Sequence, residues 1–211
     1  MEINAKSKIN VVEWASRKRK IKSLIQNKKN IIGEHPHIHS NGKTEKFPVI
    51  MLDIDIPVYN MMNGRTMDRQ DAFVINNAKK STFFSNGQEN NGAQREQHVL
   101  LVNEANRGTD QNVFKEFKKI KQFDPSKPIL LTNDAVIING NRRLCTMREL
   151  YYAEGGAQRY SMFAQVPCAI VERDLSEKEF AQFEDEIQVK KDLKQPYRWV
   201  NILKKIKREI G

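Results

Sequence analysis

The stretch from Pro128 to Gly156 constrains the fold more than any other part of the chain. Two short apolar runs, Ile129–Thr132 and Val136–Asn139, flank Asn133-Asp134, and both turn residues tolerate the left-handed backbone that a tight reversal needs. Gly140-Asn141 ends the second run and opens a helix over 141–153, with Asn141 as the expected N-cap and Gly155-Gly156 as its stop. A hairpin that feeds directly into a helix calls for a mixed fold with a small sheet.

Periodicity supplies the other elements. Residues 7–28 read as a helix, with Val11, Trp14, Ile21, Leu24 and Ile25 near one face and Arg17-Lys18-Arg19-Lys20 over much of the rest. Such a helix can pack on the core, bind nucleic acid or serve as a basic arm; its spacing favours packing. Residues 33–46, containing Gly33, Pro36 and Gly42, read as a polar connection, and a Val/Ile/Met-rich strand follows at 47–54. Loops at Asn63-Gly64-Arg65 and 85–92 precede helices at 93–106 and 110–122. A strand at 166–172 leads to the capping box Ser176-Glu177-Lys178-Glu179, which opens a helix turning Phe180, Phe183 and Ile187 inward. Pro196 heads a last helix with Trp199, Ile202, Leu203, Ile206 and Ile210 on its apolar stripe. The expected class is α/β (α+β), a small mixed sheet flanked by helices.

Composition bounds the function. The 211 residues suffice for one full core without disulfide or metal staples. No uninterrupted apolar run exceeds four residues (Val49–Leu52, for example), whereas a membrane span needs roughly 20, and nothing resembles a secretory h-region. Cys145 and Cys168 are read as reduced thiols of a cytoplasmic protein. The net charge of +10 is unevenly placed: residues 1–30 hold nine basic and two acidic residues, residues 190–211 eight and two, and residues 172–186 seven acidic and two basic. Clustered lysines with a pI near 9.6 point to a polyanion, DNA being the usual one; the other reading is a solvated lysine-rich face.

Two clusters carry chemistry. His35, His37 and His39 alternate, and on a strand they would share a face as metal ligands do. No Cys or carboxylate pair accompanies them at a zinc-type spacing, so they are read as part of a solvated loop. The second cluster is Arg142-Arg143 in the first turn of the helix after Gly140. The helix dipole disfavours cations there by ~0.3–1 kcal/mol each, so an offsetting anion is expected. Free N–H groups and planar guanidiniums together suit a phosphate, and the competing reading is a salt bridge to a carboxylate from 184–186.

The segment Gly140-Asn-Arg-Arg-Leu-Cys-Thr-Met-Arg-Glu-Leu150 resembles the Gly-Glu-Arg-Arg box of the ParB N-terminal domain, within the ParB/sulfiredoxin-like superfamily. Ile129–Leu131 before it, Val166-Pro-Cys-Ala-Ile-Val after it, and Glu186-Ile-Gln-Val-Lys-Lys-Asp-Leu193 resemble the family's neighbouring segments, and Ile56-Pro57 through Asn63-Gly64-Arg65 resembles its first nucleotide-contacting loop. The resemblance implies a nucleotide-binding domain at 47–211 with an insertion at 66–92, preceded by a basic helix and linker at 1–46. It implies that Arg65 touches the base or phosphates and that Gly140, Asn141, Arg142 and Arg143 cradle phosphates. Glu186, or Asp185 if the register slides by one, would be the catalytic carboxylate that holds Mg2+ or positions water, and Lys190 would stand where the family has an arginine. The implied ligand is CTP or ATP with Mg2+.

Three functions fit this sequence. The first is a nucleotide-binding domain that binds or hydrolyses a nucleoside triphosphate in a DNA-linked process. The second is a ParB-like metal-dependent DNA nuclease using basic arms at 6–29 and 190–208. The third is a non-catalytic DNA- or protein-binding adaptor, supported by Asn141 where the family has Glu and by Ile187 where it has Asn. A homodimer is compatible with each. Asn141 also occupies the position of sulfiredoxin's catalytic cysteine, so reductase chemistry is not expected.

Overall fold

The computed structural model describes residues 9–106, 112–120, 123–124 and 126–189. Its centre is a five-stranded mixed sheet: β1 (Ile31–Ile38), β2 (Thr44–Asp53), β3 (Ile129–Thr132), β4 (Ile137–Asn139) and β5 (Gln165–Val171), in the spatial order β1-β2-β5-β3-β4. The β3–β5 pair is parallel and the other neighbours are antiparallel. The helices are α1 (Trp14–Gln26), α2 (Met67–Asn76), α3 (Asn91–Ala105), α4 (Val113–Phe117), α5 (Asn141–Tyr152), α6 (Gly156–Arg159) and α7 (Glu177–Val189). This is the expected α/β class.

Both faces of the sheet are covered, which is why β3 and β5 read as nearly continuous apolar runs rather than alternating ones. Ile50, Leu52, Ile129, Leu131, Cys168 and Ile170 form one cluster with Leu101 of α3 and Leu144 of α5. Phe47, Val49, Leu130, Ala169 and Val171 form a second, sealed by Phe183 and Ile187 of α7. The capping box opens α7 as expected, with the Ser176 amide donating to Glu179 and the Glu179 amide to Ser176 Oγ.

Three local expectations are corrected. Residues 33–46 are not a connection: β1 occupies 31–38 and pairs with β2, which itself begins at Thr44. Gly33 and Pro36 sit on an outer strand, where a missing N–H and a register shift are tolerated. Gly140, not Asn141, is the N-cap of α5, at φ +122, and an added Cβ would meet Ile129 Cγ2 at 3.1 Å and Arg143 Nη2 at 3.2 Å. The left-handed residue of the β3–β4 turn is Ala135, at φ +69, rather than Asn133 or Asp134.

α1 begins at Trp14 and packs on the core through Ile21, as its spacing favours. Its basic run is largely engaged inside the molecule. Arg17 is fully buried against Glu89, Lys18 pairs with Asp174 and Lys20 with Asp53. The helix read behind Pro196 and the basic segment 190–208 lie outside the described residues. No helix among the described residues is long and apolar enough to cross a membrane.

Candidate functional site

The two segments read as nucleotide contacts leave the same edge of the sheet. Val58 forms a parallel bridge to Val136, with Val58 N–H donating to Ala135 O and Ile137 N–H to Val58 O. From that bridge the chain toward Arg65 and the chain toward Gly140 run in the same direction. The loop is firmly built: Arg65 N–H and Thr66 N–H close turns onto Asn63, Gln94 brackets the Tyr59 backbone, and Gln97 donates to Asn60 O. Arg65 and Arg142 are half-buried, and burial holds the Arg142 pKa below its ordinary value. Asn141 is buried, and its Oδ1 has no hydrogen-bond partner among the described residues. Arg143 departs from its expected role, because its guanidinium donates to the carbonyls of Lys127 and Pro128 at the entry to β3. It staples the turn rather than facing a ligand.

The acidic residues of α7 divide between two flanks. Phe183 and Ile187 face the sheet, and residues two apart on a helix lie about 200° apart around its axis. Glu184 and Glu186 therefore leave on opposite sides. Asn60 Nδ2 donates to Glu184 Oε1 at 3.4 Å, so Glu184 is the carboxylate that meets the loop. Glu186 instead points to β1, while Gly140 follows β4, the opposite edge strand. The structure does not bring Glu186 to the arginine box. Asp185 is exposed, and Lys190 lies outside the described residues.

Around Glu186 the histidines set aside as a loop become a site. His37 Nε2 lies 2.8 Å and His39 Nδ1 3.2 Å from Glu186 Oε2, while Ser40 N–H and Gln182 Nε2 donate to Oε1 at 2.8 and 3.0 Å. Phe183 lies beside both rings. Burial alone would raise the Glu186 pKa, but hydrogen bonds from Ser40, His37 and Gln182 outweigh it and hold the carboxyl well below its usual range. Glu179 is lowered to about 2 by its Ser176 and Arg173 hydrogen bonds. Two imidazoles and one carboxylate do not suit Mg2+, which takes oxygen ligands. A Mg2+ role for Glu186 thus fits neither its place nor its company.

The lowered pKa values give a sign. Groups whose folded pKa is depressed stabilise the fold above their unfolded pKa, near 4.3, and lose that contribution as pH falls toward the folded value. The unfolding midpoint is therefore expected to decline gently below about pH 7, because His98 is neutral in the fold and gains a proton on unfolding, and more steeply below about pH 5 as the carboxylates titrate. Circular-dichroism melts of Glu179→Gln should show a shallower acid fall than the unsubstituted chain; parallel curves would contradict this.

A third polar cluster escaped the sequence reading. Tyr59 Oη lies 2.7 Å from His98 Nδ1, and His98 Nε2 lies 2.9 Å from Glu149 Oε1, with all three residues buried. Burial lowers the His98 pKa and raises that of Tyr59, so a neutral imidazole accepts from the phenol and donates to the carboxylate. Arg148 caps the cluster over the Tyr59 ring and donates to the carbonyls of Ile54 and Pro57. The available signal was Gln94, Gln97, His98 and Leu101 at helical spacing, a core stripe written mostly in polar residues. Cys145 and Cys168 are buried, and burial pushes the Cys145 thiol up to about 12, which leaves it unreactive.

Comparison with family models, with characterised proteins and with solved structures finds no match for this chain.

Proposed function

We propose that this chain is a ParB-like nucleotide-binding domain, taking a nucleoside triphosphate such as CTP or ATP with Mg2+ in a DNA-linked process. The observation that supports it most is the meeting of three separate segments. The Val58–Val136 bridge sends the loop toward Arg65 and the strand toward Gly140 out together, and Asn60 joins Glu184 of α7 to the same loop.

The residues divide by chemistry. The first-turn amides of α5 and the Arg142 guanidinium suit phosphate oxygens, since no acidic side chain occupies that turn and no side chain caps it. Asn141 Oδ1, buried without a donor among the described residues, can accept from a ribose hydroxyl or a metal-bound water. Glu184, the carboxylate that meets the loop, is the oxygen donor that would hold Mg2+, which would neutralise phosphate charge when bound. Arg143 is assigned to the architecture of the turn. The DNA link rests on the +10 net charge.

Calorimetry with CTP, ATP, GTP and UTP in Mg2+ tests the reading. Losing a charge-assisted hydrogen bond costs about 1.5–3 kcal/mol, so Arg142→Ala is expected to weaken binding roughly 10- to 100-fold. Absence of binding by any triphosphate, or unchanged affinity in a folded Arg142→Ala chain, would remove the proposal.

A further inference from the structure

We infer that His37, His39 and Glu186 form a binding site for a zinc-class divalent transition-metal ion, with one coordination position open to the cleft beside it. The inference is independent of the nucleotide reading, since the site stands on the β1 edge of the sheet, away from the arginine box after β4.

The donor atoms are already gathered. One nitrogen from each histidine and one Glu186 oxygen lie within 4.8 Å of one another, and the two nitrogen–oxygen separations are 2.8 and 3.2 Å. Ligand atoms on a tetrahedral zinc with bonds of ~2.0–2.1 Å lie roughly 3.3 Å apart. Side-chain adjustments of a few tenths of an ångström therefore suffice for the carboxylate edges. The elements hold the ligands from two sides: β1 and the turn after it carry the histidines, and α7 carries the carboxylate across the apolar contact of Phe47 with Phe183.

His39 supplies the second argument. Its Nδ1 faces Glu186 Oε2 at 3.2 Å and its Nε2 faces Glu45 Oε2 at 3.0 Å. A neutral imidazole has one N–H, so it can donate to one of these carboxylates and must present a lone pair to the other. A metal on Nδ1 resolves the conflict, because the Nε2–H is then fixed toward Glu45. That is the carboxylate–histidine–metal relay that orients ligating histidines. Glu186 is prepared in the same way. Its Oε1 accepts from Ser40 N–H and Gln182, which aims Oε2 at the two rings.

The site opens outward. It does so through His39, the ligand that lines, with Glu45, Arg173, Gln182 and Phe183, a cleft of about 490 Å³, while His37 and Glu186 are buried. Three protein ligands, with His39 at the cavity, leave a fourth position on that side for water or an exchangeable ligand, the arrangement of catalytic rather than structural zinc sites. Two imidazoles with a carboxylate also favour zinc, cobalt or iron(II) over calcium and magnesium.

The test uses the untagged full chain, stripped with chelator and kept free of nucleotide. Titrated with Co2+, it should take up one ion per chain and develop the intense visible bands of a four- or five-coordinate centre, and Zn2+ should displace them. Azide should shift the bands by entering the open position. His39→Ala and Glu186→Gln should each weaken Zn2+ affinity by at least about tenfold, whereas Arg142→Ala should bind metal as the unsubstituted chain does. Circular dichroism in chelator confirms that each variant is folded. The wild-type titration decides even if a variant unfolds: a folded chain that takes up neither Co2+ nor Zn2+ at millimolar metal overturns the inference. Equal affinity in folded His39→Ala and Glu186→Gln chains overturns it too. Uptake without any azide response overturns the open position.

Discussion

His98→Ala is expected to destabilise the chain by about 3–5 kcal/mol, because it removes the middle member of a buried hydrogen-bonded chain. The Tyr59 hydroxyl and the Glu149 carboxylate each lose a partner where water cannot replace it, and a cavity opens at the centre of α3. For a chain of this size the loss corresponds to a fall of roughly 6–20 °C in the unfolding midpoint, read by calorimetry or by circular dichroism. Glu149→Gln should cost less, since an amide can still accept from His98. A double-mutant cycle should then show the two changes to be strongly non-additive. A His98→Ala midpoint within a degree or two of the unsubstituted chain would show that the cluster contributes little to the fold.

The second large effect separates two adjacent arginines. Arg143→Ala removes both donors to the Lys127 and Pro128 carbonyls and empties the space against Gly140, where Arg143 Nη2 would lie 3.2 Å from a Cβ. The Pro128 carbonyl, part-buried and left unsatisfied, costs about 1–3 kcal/mol and the exposed Lys127 carbonyl less, so a loss of roughly 2–4 kcal/mol is expected. The midpoint should fall by about 4–16 °C. Triphosphate affinity of the folded fraction should change little, the reverse of Arg142→Ala. A stable Arg143→Ala chain that no longer binds nucleotide would return Arg143 to the phosphate site.

The legible parts of the fold are those where one local rule decides. The β3–β4 hairpin announces itself through Asn133-Asp134, the start of α5 through Gly140, and the start of α7 through Ser176 and Glu179. β1 was hidden because Gly33 and Pro36 are breakers everywhere except on an outer strand, and being outermost is a property of the assembled sheet. The same blindness concealed the metal cluster, since alternating histidines share a face only once a strand is granted. Burial of Gln70 was equally unreadable, and that of Gln94 and Gln97 had only the helical stripe to betray it, for amides are satisfied by partners from distant segments such as Tyr59 and Asn60. The split between Glu184 and Glu186 was within reach. Once Phe183 and Ile187 face inward, the helical wheel alone sends these two carboxylates to different neighbours.

The outermost position of β1 also bears on how copies of this chain can meet. An uncovered strand is a template for lateral growth, and β1 is the terminal strand of the sheet among the described residues. Pro36 offers no donor to an incoming backbone, the Gly33 irregularity bends the ribbon, and Glu34 puts a charge along it. Strand addition is therefore disfavoured on this flank, and the aggregation hazard of this open edge is blunted by the residues that disguised β1 as a loop.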